Sequence, residues 1–268
     1  MDTTNLQGRT VLVTGAGSGI GRATALLAAR RGADLAICDV NEPGLAETER
    51  EARALGRSVL ARPVDVADRA EMAEFADAVD ALDLLVNNAG VGLAAGFLET
   101  TLDDWDWIVS INLLGVVHGC HFFVPKMRPG AHVANLASMA GYHASPALVA
   151  YTTTKFAVLG LSEALREELR PLGIGVTAIC PGIINTPITR NARARGRAGD
   201  PEVRERLVRM YARRNYGPER VAENLLKAVA RNRSVAPVAP EAWLAYGIKR
   251  ASPRLAGWVA RRLASATE

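Results

Sequence analysis

The chain has 268 residues, 49% of them hydrophobic and 22% charged, a balance that suits one large globular α/β domain or at most two small ones. Thirty-two Lys and Arg against 28 Asp and Glu leave a net charge of +4, too mild for a nucleic-acid-binding chain unless the basic residues cluster on one face. Cys38, Cys120 and Cys180 lie far apart in apolar runs, without a CxxC pair or histidines at ligand spacing; this excludes a zinc or disulfide framework and predicts buried thiols in a reducing compartment, with no metal. The opening MDTTNLQGRT shows no basic segment followed by an apolar core, and no uninterrupted apolar run approaches the ~20 residues of a membrane span. A soluble, cytoplasmic protein is therefore expected.

In chain order, strands are predicted at 10–14 (TVLVT), 33–40, 58–66, 82–88, 132–138 and 175–182. Amphipathic helical segments lie between them at 19–31, 43–55, 68–79, 104–127 and 149–170. The strand runs are continuously apolar, as in a parallel sheet covered on both faces. Such alternation predicts a three-layer, doubly wound α/β fold around a parallel sheet of about seven strands. No repeat or low-complexity linker divides it, so residues 1–268 read as one domain, with a lid at 190–215 and a helical extension at 238–268.

Open α/β sheets bind ligands beyond the carboxyl ends of their strands. The residues following the six predicted strands are GAGSGIG, Asp39, Asp65, NNAG (87–90), Ser138 and PGIINT (181–186). Polar and glycine-rich groups thus collect on one rim.

The turn TGAGSGIG (14–21) does not fit a literal GxGxxG: counted from Gly15 the last position is Ile20, and from Gly17 it is Arg22. Its glycines make either a tight strand-to-helix turn or a cradle where backbone and helix N-terminus meet a pyrophosphate. Asp39, 18 residues after Gly21, stands where an acid can hold the ribose hydroxyls of NAD and repel a 2′-phosphate. Ser18, Val40 and Asn41 add no basic group, so NAD(H) is favoured, with NADP(H) left open. Asp39 can equally cap the next turn.

The spacing TGxxxGxG, as Thr14-Gly15 with Gly19-Ile20-Gly21, is followed in order by Asp65-Val66, Asn87-Asn88-Ala89-Gly90, Asn112, Ser138, Tyr151-x-x-x-Lys155 and Pro181-Gly182. Together these resemble the short-chain dehydrogenase/reductase superfamily in its single-domain branch, over about residues 6–237. The resemblance implies a Rossmann fold, a homodimer or homotetramer, and NAD(P)-dependent interconversion of a secondary alcohol and a ketone. It implies a catalytic set of Asn112, Ser138, Tyr151 and Lys155, with Asn112 supporting a water in a proton relay. Toward the dinucleotide it implies Gly15, Ser18, Gly19, Ile20, Gly21 and Asp39, with Asp65 and Val66 at the adenine. Asn87, Ala89 and Gly90 are implied on the adenosine side. Pro181, Gly182, Ile184 and Thr186 are implied near the nicotinamide carboxamide, and Tyr151 and Lys155 at its ribose.

On a helix Tyr151 and Lys155 share one face, continued by Val158 and Ser162. A tyrosine with a pKa near ~10 is a poor proton shuttle at neutral pH. A neighbouring ammonium and a positive nicotinamide would favour its phenolate. Ser138 lies 13 residues upstream, where its hydroxyl can hold a substrate oxygen. Read singly, Asn112 is also a helix polar residue bonded to backbone, and Ser138 a turn cap. Likewise Asn87 and Asn88 suit a sheet edge, and Thr14 a structural role.

Segments 91–98, 139–149 and 183–215 are expected around the reacting carbon. Their Leu93, Phe97, Met139, Tyr142, Leu148 and Ile183 predict an apolar pocket and a hydrophobic small-molecule substrate. His143 is either a substrate contact or a plain loop histidine. The nine arginines of 190–214 read as a salt-bridged, solvated lid helix or as a recognition surface for an anionic carrier such as coenzyme A or phosphopantetheine.

In the tail 241–265, Trp243, Leu244, Tyr246, Ile248, Leu255, Trp258, Val259 and Leu263 alternate with Lys249, Arg250, Arg254, Arg261 and Arg262. Contact with a membrane surface or with a second subunit would suit this pattern, and Pro253 should break the helix. Two other function classes compete. One is a non-catalytic dinucleotide sensor or scaffold, against which the intact proton-relay residues argue. The other is a nucleotide-sugar epimerase or dehydratase, for which the glycine spacing differs and the chain is short.

Overall fold

The alternation of apolar strands and amphipathic helices builds one sheet. A computed structural model describes residues 1–265, the side chains of Leu207 and of 260–265 excepted. Its elements run β1 (Thr10–Thr14), α1 (Gly19–Arg30), β2 (Asp34–Asp39), α2 (Glu42–Ala54), β3 (Val59–Pro63), α3 (Arg69–Asp77), β4 (Leu82–Asn87) and β5 (Leu93–Ala94). Then come α4 (Leu102–Val109), α5 (Gly115–Phe123), β6 (Met127–Leu136), α6 (Val149–Leu169), β7 (Gly175–Pro181), α7 (Pro187–Asn191) and β8 (Arg193–Ala194). The chain continues through α8 (Pro201–Arg214), α9 (Pro218–Ala230), β9 (Val235–Val238), α10 (Pro240–Ala251) and α11 (Pro253–Ser265).

Seven strands pair in parallel in the order β3-β2-β1-β4-β6-β7-β9, and β5 and β8 make a separate two-stranded pair. Successive strand residues face opposite sides. Val11, Val13, Leu35, Ile37, Leu84 and Val86 pack toward α1, α2 and α9, while Leu12, Ala36, Leu85 and Val133 pack toward α3, α5 and α6. Both faces are covered, which is why the strands read as unbroken apolar runs. This is a Rossmann-type doubly wound fold.

Several boundaries differ from expectation. The fifth predicted strand starts at Met127, through Pro129 and Gly130, which carry no apolar signal. It stops at Leu136, because Ser138 caps a single 3-10 turn, its hydroxyl accepting the Ala140 N–H at 3.1 Å. The third strand ends at Pro63 instead of residue 66. β9 is absent from the six strands read above; it contains Pro237, which the sheet tolerates because β9 is an edge strand paired only with β7.

The expected helix over 104–127 is α4 and α5 joined by a π turn at Ser110–Leu114 and closed by a 3-10 turn. Leu102–Lys126 is thus 25 helical residues of mean hydropathy 1.6, long and apolar enough by those measures to cross a membrane. Here it is a core helix, seating Val116, Cys120 and Phe123 against the sheet. Helix α10 ends before Pro253, which starts α11, because a proline has no N–H to continue the ladder.

The strand order reverses between β1 and β4, and their carboxyl ends are stitched together there. The Thr14 hydroxyl accepts the N–H groups of Asn88 and Ala89, each at 3.0 Å, and the Asn88 amide donates to Thr14 O at 2.9 Å and Gly15 O at 3.1 Å. Thr14 is therefore structural, as its position suggested. Gly15 has φ +67°, in the left-handed region, and a side chain at Gly21 would collide with the Gly15 carbonyl. Replacing Thr14 by Val leaves two N–H groups without their acceptor. A loss of about 2–4 kcal/mol in denaturant unfolding is expected, with Thr14→Ser within about 1 kcal/mol of the parent.

Candidate active site

The glycine turn lies beside the end of β2. Asp39 accepts the Gly17 N–H at 2.7 Å through one oxygen and the Asn41 N–H at 2.8 Å through the other. The turn-capping reading of this acid is what these bonds show: Asp39 shapes the turn before α2 and ties it to the glycine loop. Helix α1 starts at Gly19, whose φ of +53° favours glycine, and Ser18, exposed before it, provides no side-chain cap. A Cβ on Gly19 would meet Thr186 at 3.5 Å, so the loops after β1 and β7 face each other closely.

Farther along the rim, Asp65 accepts the Ala67 N–H at 2.9 Å, and the buried Val66 rests on Gly115 with its carbonyl 2.9 Å from His118 Nδ1. Asn87 departs from the expected cofactor contact. Its side chain is buried beneath the rim, donating to Asn135 Oδ1 at 2.8 Å and lying against Cys120 Sγ and Gly119, so only its backbone can reach a ligand. The sheet-edge reading holds for Asn87 and Asn88 alike. Ile184 is likewise buried in the core, which leaves its backbone for the rim.

The four residues expected to act together converge at the ends of β4 and β6. Asn112, in the π turn, accepts the Val91 N–H at 2.8 Å and donates to Val91 O at 2.9 Å and Thr154 Oγ1 at 3.4 Å. A Cβ built on Gly90 would lie 3.1 Å from Asn112 Oδ1 and 3.6 Å from Lys155 Nζ, which puts both groups around one glycine. Lys155 is buried and donates to the Leu136 carbonyl at 2.8 Å, with its ammonium 5.8 Å from the centre of the Tyr151 ring. The stripe continues inward through the buried Val158 and Ser162.

Burial pushes the Lys155 pKa down to about 8. Burial also pushes Tyr151 up to about 12, opposed by a hydrogen bond with Ser138 and reinforced by the nearby Tyr211 phenol of α8. The expected lowering of the Tyr151 pKa is thus not a property of the protein alone, since desolvation outweighs what surrounds the phenol. The threonines of YTTTK fit their helix by bonding back to it: Thr153 donates to Val149 O and Thr154 to Tyr151 O.

Leu93, fully buried, forms a small apolar cluster with Ala95, Ile108, Ala150 and the Tyr151 ring. Met139 and Ile183 are half-buried at the site's edge, and Phe97 is largely exposed. His143 is also half-buried, and burial lowers its pKa. Tyr142 is committed elsewhere: its hydroxyl donates to Ala242 O at 2.9 Å and its ring meets Tyr246 edge-on, so it anchors α10 instead of lining the pocket.

The segment over the site is clasped at both ends. At its start, Arg195 binds the fully buried Asp104 through two bonds of 2.9 Å, Arg193 lies 3.7 Å over the Trp107 ring, and β8 pairs with β5. At its end, Arg214 binds Glu241 at 2.8 Å, and the same carboxylate accepts the Ile183 N–H at 2.9 Å while packing under Gly182. Arg209 pairs with Glu205, and Arg204 donates to the Arg190 carbonyl. Four of the nine arginines, Arg193, Arg195, Arg204 and Arg214, thus fasten this segment and a fifth pairs within α8, which favours the salt-bridged reading over a carrier-binding surface.

With these positions assembled, comparison with known proteins decides the family. The family model for short chain dehydrogenase matches residues 9–196. The chain belongs to the short-chain dehydrogenase family. It is 40% identical over 255 residues to "Probable oxidoreductase EphD" of Mycobacterium tuberculosis, covering 91% of this chain and 43% of that protein, so it spans less than half of that relative's length. A short chain dehydrogenase/reductase from Burkholderia phymatum in complex with NAD superposes with a TM-score of 0.81 at 32% identity, covering 91% of this chain and 95% of that one. A short chain dehydrogenase from Burkholderia cenocepacia in complex with NADP gives a TM-score of 0.76 at 28% identity, covering 89% and 99%.

The dehydrogenase's own rim fits a nicotinamide dinucleotide. Gly15 and Gly21 leave backbone where side chains would intrude, Gly19 takes a left-handed conformation, the first turn of α1 has no side-chain cap, and Asp39 closes the far side. Sequence reasoning missed Asp104, Glu241 and Tyr211. Glu241 had one legible signal, being the lone acid within residues 239–265. Its partners come from the loop after β7 and the end of α8, which no local pattern connects. Glu241→Gln keeps an acceptor for Ile183 but loses the charge that holds Arg214. Trypsin should then cut within 190–214 up to about fivefold faster, because a half-exposed ion pair contributes at most about 1 kcal/mol.

Proposed function

We propose that this chain interconverts a secondary alcohol and a ketone on a small, mainly apolar substrate, using NAD(H) in preference to NADP(H). The observation that carries this reading is the convergence of Tyr151, Ser138, Lys155 and Asn112 at the ends of β4 and β6, with the Lys155 ammonium 5.8 Å from the Tyr151 ring centre and the Ser138 hydroxyl acting on the Tyr151 phenol to favour its charged form. A nicotinamide dinucleotide supplies the hydride acceptor or donor. Ser138 holds the substrate oxygen, and Tyr151 gives it a proton in reduction or takes one in oxidation. With its phenol held up to about 12, the free site keeps Tyr151 protonated, ready to donate. Oxidation needs positive charge beside the phenol, and Lys155 is the chain's own source, anchored by Leu136 O at the distance of one helical turn. Asn112 fixes the segment 90–91 against α6 and so sets the floor on which Lys155 rests.

Leu93, in one apolar cluster with the Tyr151 ring, supports an apolar substrate. Exposed Leu114 and Val117 on α4–α5 and Phe156 on α6 offer an apolar face for a second copy of the chain. Cys38, Cys120 and Cys180, unpaired and buried, suit a reducing, cytoplasmic setting. A sensor that only binds the dinucleotide would have no use for the Tyr151–Ser138 pair.

The test is dinucleotide-linked oxidation, followed by absorbance, across secondary alcohols, steroids, 3-hydroxyacyl thioesters and sugars. Tyr151→Phe should lower kcat by about 10²–10⁴-fold while binding NADH as tightly as the parent; full activity in that variant removes Tyr151 from the mechanism. Asp39→Ala should narrow the NAD-over-NADP ratio of kcat/KM by at least about tenfold, and an unchanged ratio refutes the assignment of Asp39 to the ribose.

A further inference from the structure

The C-terminal helix pair has its apolar side outward. Ala242 is buried, its carbonyl taking the Tyr142 hydroxyl, and Tyr246 packs on Tyr142, so these residues define the inner face of α10. Trp243, Gly247 and Arg250 follow at i, i+4 and i+7 on the opposite face, next to Leu244, and all four are exposed. Trp243 is 47% and Leu244 66% accessible, where an ordinary surface helix would show polar side chains. On α11, Leu255 is 46% and Trp258 49% accessible, beside the exposed Arg254.

Charge decides what covers this face. Within 239–265 Glu241 is the sole acid, and its carboxylate is turned inward to Ile183 and Arg214. Among the described residues, no ion pair engages Lys249, Arg250 or Arg254, and Arg233 lies 5.4 Å over the Trp243 ring at the rim of the patch. A two-fold contact between copies through this face would set basic residues against basic residues with no acid to pair them. An anionic bilayer meets both requirements at once: headgroups for the cations, and an interface in which tryptophan and leucine side chains are at home.

We propose that α10 and α11 form a docking surface for anionic membranes, holding the dehydrogenase against the lipid with Trp243, Leu244, Leu255 and Trp258 in the headgroup layer. Glu241, in the first turn of α10, also grips the lid end and the loop after β7, so the docking surface adjoins the mouth of the site.

The test is co-sedimentation of the purified chain with vesicles of phosphatidylcholine alone, and with vesicles in which phosphatidylglycerol makes up about a third of the lipid. Binding to the anionic vesicles is expected, at least about tenfold stronger than to neutral ones and weakened by salt, since each basic residue near an anionic surface strengthens binding about fivefold. The double variant Trp243→Ser, Trp258→Ser should bind about tenfold less with an unchanged sedimentation coefficient. The variant Arg250→Gln, Arg254→Gln, altered only at exposed positions, should lose the preference for anionic lipid. Three results overturn the proposal. These are no binding to either vesicle, equal binding to both, or a fall in oligomeric size in the tryptophan variant, which would assign the face to a second copy.

Discussion

The stitch between Thr14 and the backbone of Asn88 and Ala89 is the constraint on which the site depends. A parallel sheet whose strand order reverses must part its connecting loops at the reversal, and the parted loops leave a crevice. Two N–H groups on one hydroxyl, with the Asn88 amide returning to Thr14 O and Gly15 O, hold the floor of that crevice at a set width. The glycine loop can then run tightly over it because Gly15 and Gly21 add no side chains there. Residues far apart in the chain, such as Gly19 and Thr186, face one another across the opening as a result.

At the other side of the crevice, burial sets the chemistry. Desolvation disfavours charge on Lys155 and on Tyr151 alike, driving their pKa values apart, the lysine down to about 8 and the tyrosine up to about 12. The pair is consequently far more responsive to added charge than either group would be in water. Leu136 O partly offsets the burial of the ammonium, and Ser138 favours the phenolate. The arrangement keeps a proton where a substrate oxygen would meet it.

The arginine-rich segment 190–214 shows why some contacts were illegible. Nine arginines in 25 residues looked like a surface property, yet their use is set by Asp104 on α4 and Glu241 on α10, roughly 90 residues upstream and 27 residues downstream of their partners. Tyr142 misled for a similar reason. Its place after Ser138 suggested the pocket, but α10 returns across the sheet end and takes its hydroxyl. Asn87 lies at a rim position whose side chain turns inward by strand register, and Ile184, in the loop after β7, folds back into the core; a motif records neither.

Local sequence determined the parallel sheet, through continuously apolar strands, and the candidate catalytic pair, through a tyrosine and lysine one helical turn apart. It also determined the glycine turn and the break at Pro253, since each depends on backbone geometry within a few residues. Tertiary structure alone decided which carboxylates clasp the segment 193–214, that burial outweighs the Ser138 hydroxyl in setting the Tyr151 pKa, and which face of α10 is left outside. Those outcomes depend on desolvation and on contacts between distant segments, and neither is encoded in any short stretch of the chain.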